Sequence, residues 1–135
     1  MYKIEKRPSG FILTFSGNID FAEMQKWYDD SLKELQSNKL TDFGVIIDMK
    51  NLLPIDKGTQ AIMVKGQGLY KNAGMLRSAV VLADSIVCLQ FKRLAKESGI
   101  YETERYIDAS AHDSPISVAI DWVKDSVDPD LGAKR

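Results

Sequence analysis

The chain has 135 residues, with 44% hydrophobic and 27% charged side chains and a formal net charge of −1. That length supports one domain with its own core and is too short for two, and the small net charge excludes a global electrostatic pull toward nucleic acid or an anionic membrane. The single cysteine, Cys88, excludes an internal disulfide, the first ten residues lack the apolar core of a secretory signal, and no apolar run is long enough to span a bilayer, so a cytoplasmic location is expected.

Residues 2–6 alternate apolar and charged side chains, the pattern of a half-buried strand. Arg7-Pro8-Ser9-Gly10 is turn chemistry, and residues 11–15 read as a second, more buried strand. So short a connection leaves no room for a crossover helix, which makes this pair antiparallel. Asp20 is a good N-cap with Glu23 three residues on, as in a capping box. Phe21, Met24, Tyr28, Leu32 and Leu35 then recur at helical spacing. Residues 37–42 form a polar connection. Residues 43–48 are a nearly continuous apolar run ending in Asp48, the signature of a strand buried on both faces of a parallel sheet.

Residues 50–55 read as a loop carrying Pro54. From Asp56 onward Thr59, Ile62, Met63, Gly66 and Tyr70 mark a second helix. Gly58, Gly66 and Gly68, each costing about 1 kcal/mol relative to Ala in a helix interior, make it the least stable helix expected. Residues 78–83 (SAVVLA) are another buried strand. Asp84 caps a third helix containing Val87, Phe91, Leu94 and Ala95 and closed by Gly99. Residues 105–108 are a short fifth strand. Ser114-Pro115 starts the last helix, an N-cap followed by Pro at the first helical position. This helix buries Val118, Ala119, Trp122 and Val123 and stops at Asp128-Pro129. The order ββαβαβαβα predicts a single α/β domain over residues 1–128: a mixed, mostly parallel five-stranded sheet, four helices and right-handed crossovers. Residues 129–135 are left as a tail, frayed from residue 131.

Charge is unevenly spread. Residues 57–83 hold four bases and no acid, whereas residues 102–130 hold eight acids and two bases. Solvated helix faces account for such runs, and the sharper reading is a central basic segment that meets an acidic ligand or partner. The glycines at 66, 68 and 74 do not follow a strand and miss the G-x-G-x-x-G spacing, which argues against nucleotide binding. Cys88 and the sole histidine, His112, stand far apart in sequence with nothing to mark a nucleophile and its base. Asp48 and Asp56 are better read as a strand-end residue and an N-cap than as an acid–base pair. One histidine, one cysteine and no tight acidic cluster give no transition-metal ligand set. Trp27 and Trp122 sit at helical positions suited to packing.

Four pieces in order carry a family resemblance: residues 11–17 followed by the cap at Asp20, VIIDMKN at 45–51, SAVVLAD at 78–84, and Ala119-Ile120-Asp121-Trp122 in the closing helix. Together they span nearly the whole chain. The set resembles the STAS domain of anti-sigma-factor antagonists and, more closely, the SpoIIAA-like family, which is also similar to Sec14 or CRAL-TRIO lipid-binding domains. The resemblance implies a non-catalytic, regulatory binding module with no cofactor, working through its second-helix region. Its partner would be another protein, an apolar or lipid-like small molecule, or both, and a homodimer is compatible with it. The residues this assigns to the site are Ile55, Asp56, Lys57, Thr59, Ile62, Met63, Leu69, Tyr70 and Met75.

Anti-sigma antagonists carry an Asp-Ser-Ser-Gly-like motif where the second helix begins, with a serine phosphorylated by a partner kinase. The spacing from Asp48 to Asp56 fits that pattern, but this chain reads Asp56-Lys57-Gly58-Thr59. Lysine and glycine cannot accept phosphate. A phospho-regulated antagonist with Thr59 as acceptor is therefore the second reading, and an enzyme of unnamed mechanism the third.

Overall fold

The computed structural model describes residues 1–132. Within them, β1 (Tyr2–Arg7) and β2 (Gly10–Gly17) form a hairpin, followed by α1 (Phe21–Ser37), β3 (Phe43–Leu52), α2 (Lys57–Asn72) and β4 (Met75–Leu82). Then come α3 (Ser85–Ser98), β5 (Glu104–Asp108), α4 (Pro115–Asp125) and the one-turn α5 (Pro129–Gly132). The strands make one sheet in the order β1-β2-β3-β4-β5, antiparallel between β1 and β2 and parallel from β2 to β5. The expected α/β order is therefore present, with α5 added where a tail was expected. The rest of that tail, residues 133–135, lies outside the described residues.

A strand order that follows the sequence has a geometric consequence. Each right-handed crossover steps the same way along the sheet, so successive crossover helices fall on the same face. α1, α2 and α3 pack side by side there, and α4, which follows the last strand, covers β3, β4 and β5 on the other face. Strand alternation divides the core accordingly. Phe11, Leu13, Phe15, Val45, Ile47, Val80 and Leu82 meet the three-helix layer. Ile46, Ala79, Val81 and Ile107 meet Ala119 and Trp122 of α4. β3 and β4 are thus central strands buried on both faces, as their apolar runs predict.

Three details differ from the sequence reading. The buried stripe of α1 is Met24, Trp27, Ser31 and Leu35, while Phe21 and Leu32 are exposed. β3 does not stop at Asp48 but runs on to Leu52, through a register shift between Thr14 and Ser16 of β2. There the Asp48 carboxylate accepts from the Lys50 N–H and from Lys50 Nζ, at 3.3 and 2.6 Å, so a residue type that ends strands instead bends one. Ser114 does not cap α4 with its hydroxyl, which lies 2.7 Å from the Ser117 hydroxyl.

The glycines of α2 are not equivalent. A Cβ on Gly66 would lie 2.2 Å from the Trp27 ring, so the absence of a side chain lets the indole sit directly on the α2 backbone. That ring stacks on Tyr70, with centroids 6.0 Å apart and planes 11° apart, and meets Phe15 edge-on at 5.3 Å. The buried Tyr70 hydroxyl donates to Ser31 Oγ at 2.8 Å. Gly66 is therefore the contact that docks α2 on α1, whereas a Cβ on Gly68 would meet nothing within 4 Å. Urea denaturation should separate the two. Gly66→Ala should destabilise by about 1–3 kcal/mol through overpacking, and Gly68→Ala should stabilise by up to about 1 kcal/mol through helix propensity.

Candidate functional site

The second-helix region begins at the carboxyl end of β3. Asp56 closes the loop and caps α2, its Oδ1 accepting from the Thr59 N–H at 2.8 Å. That bond holds the Asp56 carboxyl below the usual carboxylate range, and the Thr59 hydroxyl adds to the effect although its geometry falls short of a hydrogen bond. The neighbouring helices start the same way. Asp20 accepts from the Glu23 N–H at 2.8 Å, and Asp84 accepts from the Ile86 and Val87 N–H groups at 2.7 and 3.1 Å. Three helix N-termini thus line the carboxyl edge of the sheet, each filled by its own carboxylate. A helix N-terminus favours an anion only while its N–H groups are open. Here a phosphate would meet aspartates in their place.

The loop before Asp56 is held firmly. The Ile55 N–H donates to Gln90 Oε1 at 3.2 Å, and the Ile55 carbonyl accepts from Gln90 Nε2 and Gln60 Nε2 at 3.2 and 2.8 Å. Arg93 on α3 in turn donates to Gln60 Oε1. These amides bracket one peptide unit from both helices, so Ile55 is buried between α2 and α3 and α2 starts at a defined place.

The nine expected site residues divide by depth. Asp56 and Lys57 are at the surface, Leu69 and Met75 are half-buried, and Ile55, Thr59, Ile62, Met63 and Tyr70 are core. Met63, Tyr70 and Met75 share one internal void with Trp27 and Phe91, of about 30 Å³. That is space on the scale of a few water molecules. Met75 belongs to β4 rather than to the helical segment.

The basic run also has internal duties. Lys65 Nζ lies 5.1 Å from the centre of the Tyr28 ring, and Lys71 Nζ donates to the Gly99 carbonyl at 3.2 Å. Arg77 donates to the Trp122 and Val123 carbonyls at the end of α4, at 3.0 and 3.1 Å. Lys57 alone of the four stands at the carboxyl edge.

What the sequence reading missed at this edge is apolar and exposed. Leu53 is 53% exposed, Phe21 52% and Ile86 59%. The Phe21 ring reaches α2, lying 3.6 Å from where a Cβ on Gly58 would be. Ile86 stands one turn before Gln90, hence on the α3 side that faces the Ile55 loop. The available signal was local: Phe21 directly follows the N-capping Asp20, Ile86 stands two residues after the N-capping Asp84, and Leu53 directly precedes Pro54.

Among the described residues no group of three or more His, Cys, Asp or Glu side chains could hold a metal ion, and no helix is long and apolar enough to cross a membrane. Glu104 on β5 is a buried acid, its carboxylate accepting from the Ser78 and Tyr106 hydroxyls at 2.7 Å each. Burial pushes its pKa up to about 7, against the pull of those two donors.

No family model matches the chain, and no curated protein matches it. Among solved structures it is similar to that of the anti-sigma factor antagonist SpoIIAA in its unphosphorylated form. The TM-score is 0.56 at 12% sequence identity, over 87% of this chain and 97% of that one. At that identity the likeness concerns the fold, and the STAS-like architecture expected from the four sequence pieces is the one observed.

Glu104 makes stability depend on pH. Its folded-state pKa lies above the ordinary 4.5, so the acid is protonated in both states at low pH, and ionisation favours the unfolded chain between about 4.5 and 7. Each unit of such a shift is worth about 1.4 kcal/mol. The urea midpoint should therefore fall as pH rises through this window and level off above it. Glu104→Gln should flatten that slope, and an unchanged slope in the variant would assign it to other groups.

Proposed function

We propose that this protein is a non-catalytic regulatory module that binds another protein through the carboxyl edge of its sheet, at the start of α2. The observation that carries this reading is that Phe21, Leu53 and Ile86 are exposed beside the capped starts of α1, α2 and α3, on the edge that also presents Asp56 and Lys57, while the void beside α2 lined by Met63 and Tyr70 is about 30 Å³. Apolar side chains gathered on a rigid edge suit a protein surface, and a void of that size has no room for a lipid-like ligand. The fold of an anti-sigma factor antagonist supports a regulatory, protein-binding role. With one half-buried free thiol, Cys88, and no disulfide, the reading places the protein in the cytoplasm.

The phospho-switch reading meets two obstacles. Thr59 is fully buried, and its hydroxyl adjoins the Asp56 carboxylate. A phosphate there would require opening of the helix start and would face a like charge. We therefore place regulation in binding rather than in modification of Thr59.

Two outcomes are expected. Incubation of the folded protein with a serine kinase of the antagonist-directed kind should add no phosphate, and stoichiometric phosphate on Thr59 would overturn this part of the reading. A photo-crosslinking residue at Leu53 or Lys57 should capture a partner in host extract, while the same residue at Lys65 should not. Leu53→Glu should abolish that capture with little change in Tm, whereas Met63→Glu should unfold the domain because it buries a charge. Capture at Lys65 and not at Leu53 would move the working face to the outer side of α2.

A further inference from the structure

α4 covers only part of its face of the sheet. It packs on β3, β4 and β5, and beside it, toward the β1–β2 hairpin, the face is open. A groove of about 540 Å³ runs there, walled by α4 on one side and the Arg7–Gly10 turn on the other. Its floor is Ile12 and the buried Ile46, with Ile116 half-buried in the α4 wall. Two apolar side chains at its margin are exposed, Leu76 by 46% and Ile120 by 41%. A Cβ on Gly44, at the edge of the floor, would lie 2.8 Å from Val123 Cβ, so α4 sits close to β3, and the groove runs from the hairpin past the amino ends of β3 and β4, where Asp42 and Leu76 line it.

The rim is cationic. Arg7 stands on the hairpin side and Lys124 on the α4 side, both exposed and in no ion pair among the described residues. The third base, Arg77, is spent on the carbonyls at the end of α4. One acid, Asp42, lines the same groove. An apolar floor between two unpaired cations calls for an occupant with an apolar stripe flanked by acids. A groove alongside an exposed helix flank, over a half-covered sheet, suits a helix packed next to α4 at about 8–10 Å between axes.

We propose that this groove is a second docking surface, separate from the carboxyl edge, for an acidic amphipathic helix of a partner protein. The partner helix seats apolar side chains at i and i+4 on Ile12, Leu76 and Ile120. Its flanking carboxylates meet Arg7 and Lys124. The two proposed surfaces differ in chemistry: the carboxyl edge is apolar and set with aspartate caps, the groove apolar and rimmed with bases. One module could then hold two unlike partners.

The test uses the full chain, labelled with ¹⁵N, and two synthetic helical peptides of about 16 residues, long enough for a helix to be favoured. Both carry the same leucine stripe, one flanked by glutamates and the other by lysines. The glutamate peptide should shift the amide resonances of Ile12, Leu76 and Ile120. Arg7→Glu should weaken it at least about ten-fold, as reversal of a complementary charge does. Ile120→Ser should weaken it too, and an unchanged melting curve shows that each variant remains folded. The lysine peptide should leave these resonances unmoved. Equal binding of both peptides, shifts confined to the carboxyl edge, or no shift at all would overturn the proposal. Sedimentation equilibrium supplies the remaining arm: self-association abolished by Ile120→Ser would assign the groove to a second copy of this chain and overturn it as well.

Discussion

The position of α2, and with it the proposed working face, rests on the seating of Trp27 against Gly66. The indole fills the space that any other residue at 66 would claim. It also stacks on Tyr70 and meets Phe15 edge-on, so one side chain ties α1, α2 and β2 together. Aromatic pairs of this kind contribute about 0.5–1.5 kcal/mol beyond the area they bury. Ser31, small and fully buried, lets Tyr70 close the same interface with a hydroxyl–hydroxyl bond. With its middle pinned to α1 and its first turn bracketed by Gln60 and Gln90, α2 delivers Asp56 and Lys57 to the edge of the sheet as fixed features.

A second clamp holds the opposite face. Trp122 Nε1 donates to the Ser78 carbonyl at 2.9 Å, which seats α4 on β4. Two guanidinium groups flank its ring, Arg105 at 4.2 Å and Arg77 at 5.8 Å, and Arg105 also pairs with Asp128 at 3.1 Å. This pair lies beside the chain segment that turns into α5, which is why residues just past α4 stay docked. Ser78 links this clamp to the buried acid, its carbonyl accepting from Trp122 and its hydroxyl donating to Glu104. The buried acid and the α4 seat are therefore parts of one polar network across β4 and β5.

These internal commitments explain why the proposed site is a surface rather than a cavity. The apolar side chains of α2 are consumed by the core, and three of the four bases in the central run are engaged with a ring, a carbonyl or a helix end. What is left for a partner is what the core does not use: the apolar residues beside the helix caps and, on the other face, the strip that α4 fails to cover. Both are consequences of a sheet with three helices on one side and one on the other.

The sequence alone was enough for the order of the five strands and the first four helices, the antiparallel first pair, the two doubly buried strands and the three aspartate caps, because each of these is written in short-range spacing and local hydrogen-bonding chemistry. It was not enough for depth. Ile62, Met63 and Tyr70 look the same in a one-dimensional pattern whether they line a ligand site or fill a core, and only packing against Trp27 and the sheet decides. The buried face of α1 turned from the Phe21–Tyr28–Leu32 stripe to one through Trp27 and Ser31, because close approach to α2 favours a small residue and a flat ring there. Lysines that read as a basic patch were distributed by the fold among separate internal partners. Strand order, which places three helices together and leaves the groove beside α4, depends on pairings between residues dozens of positions apart, and those exist only once the chain is folded.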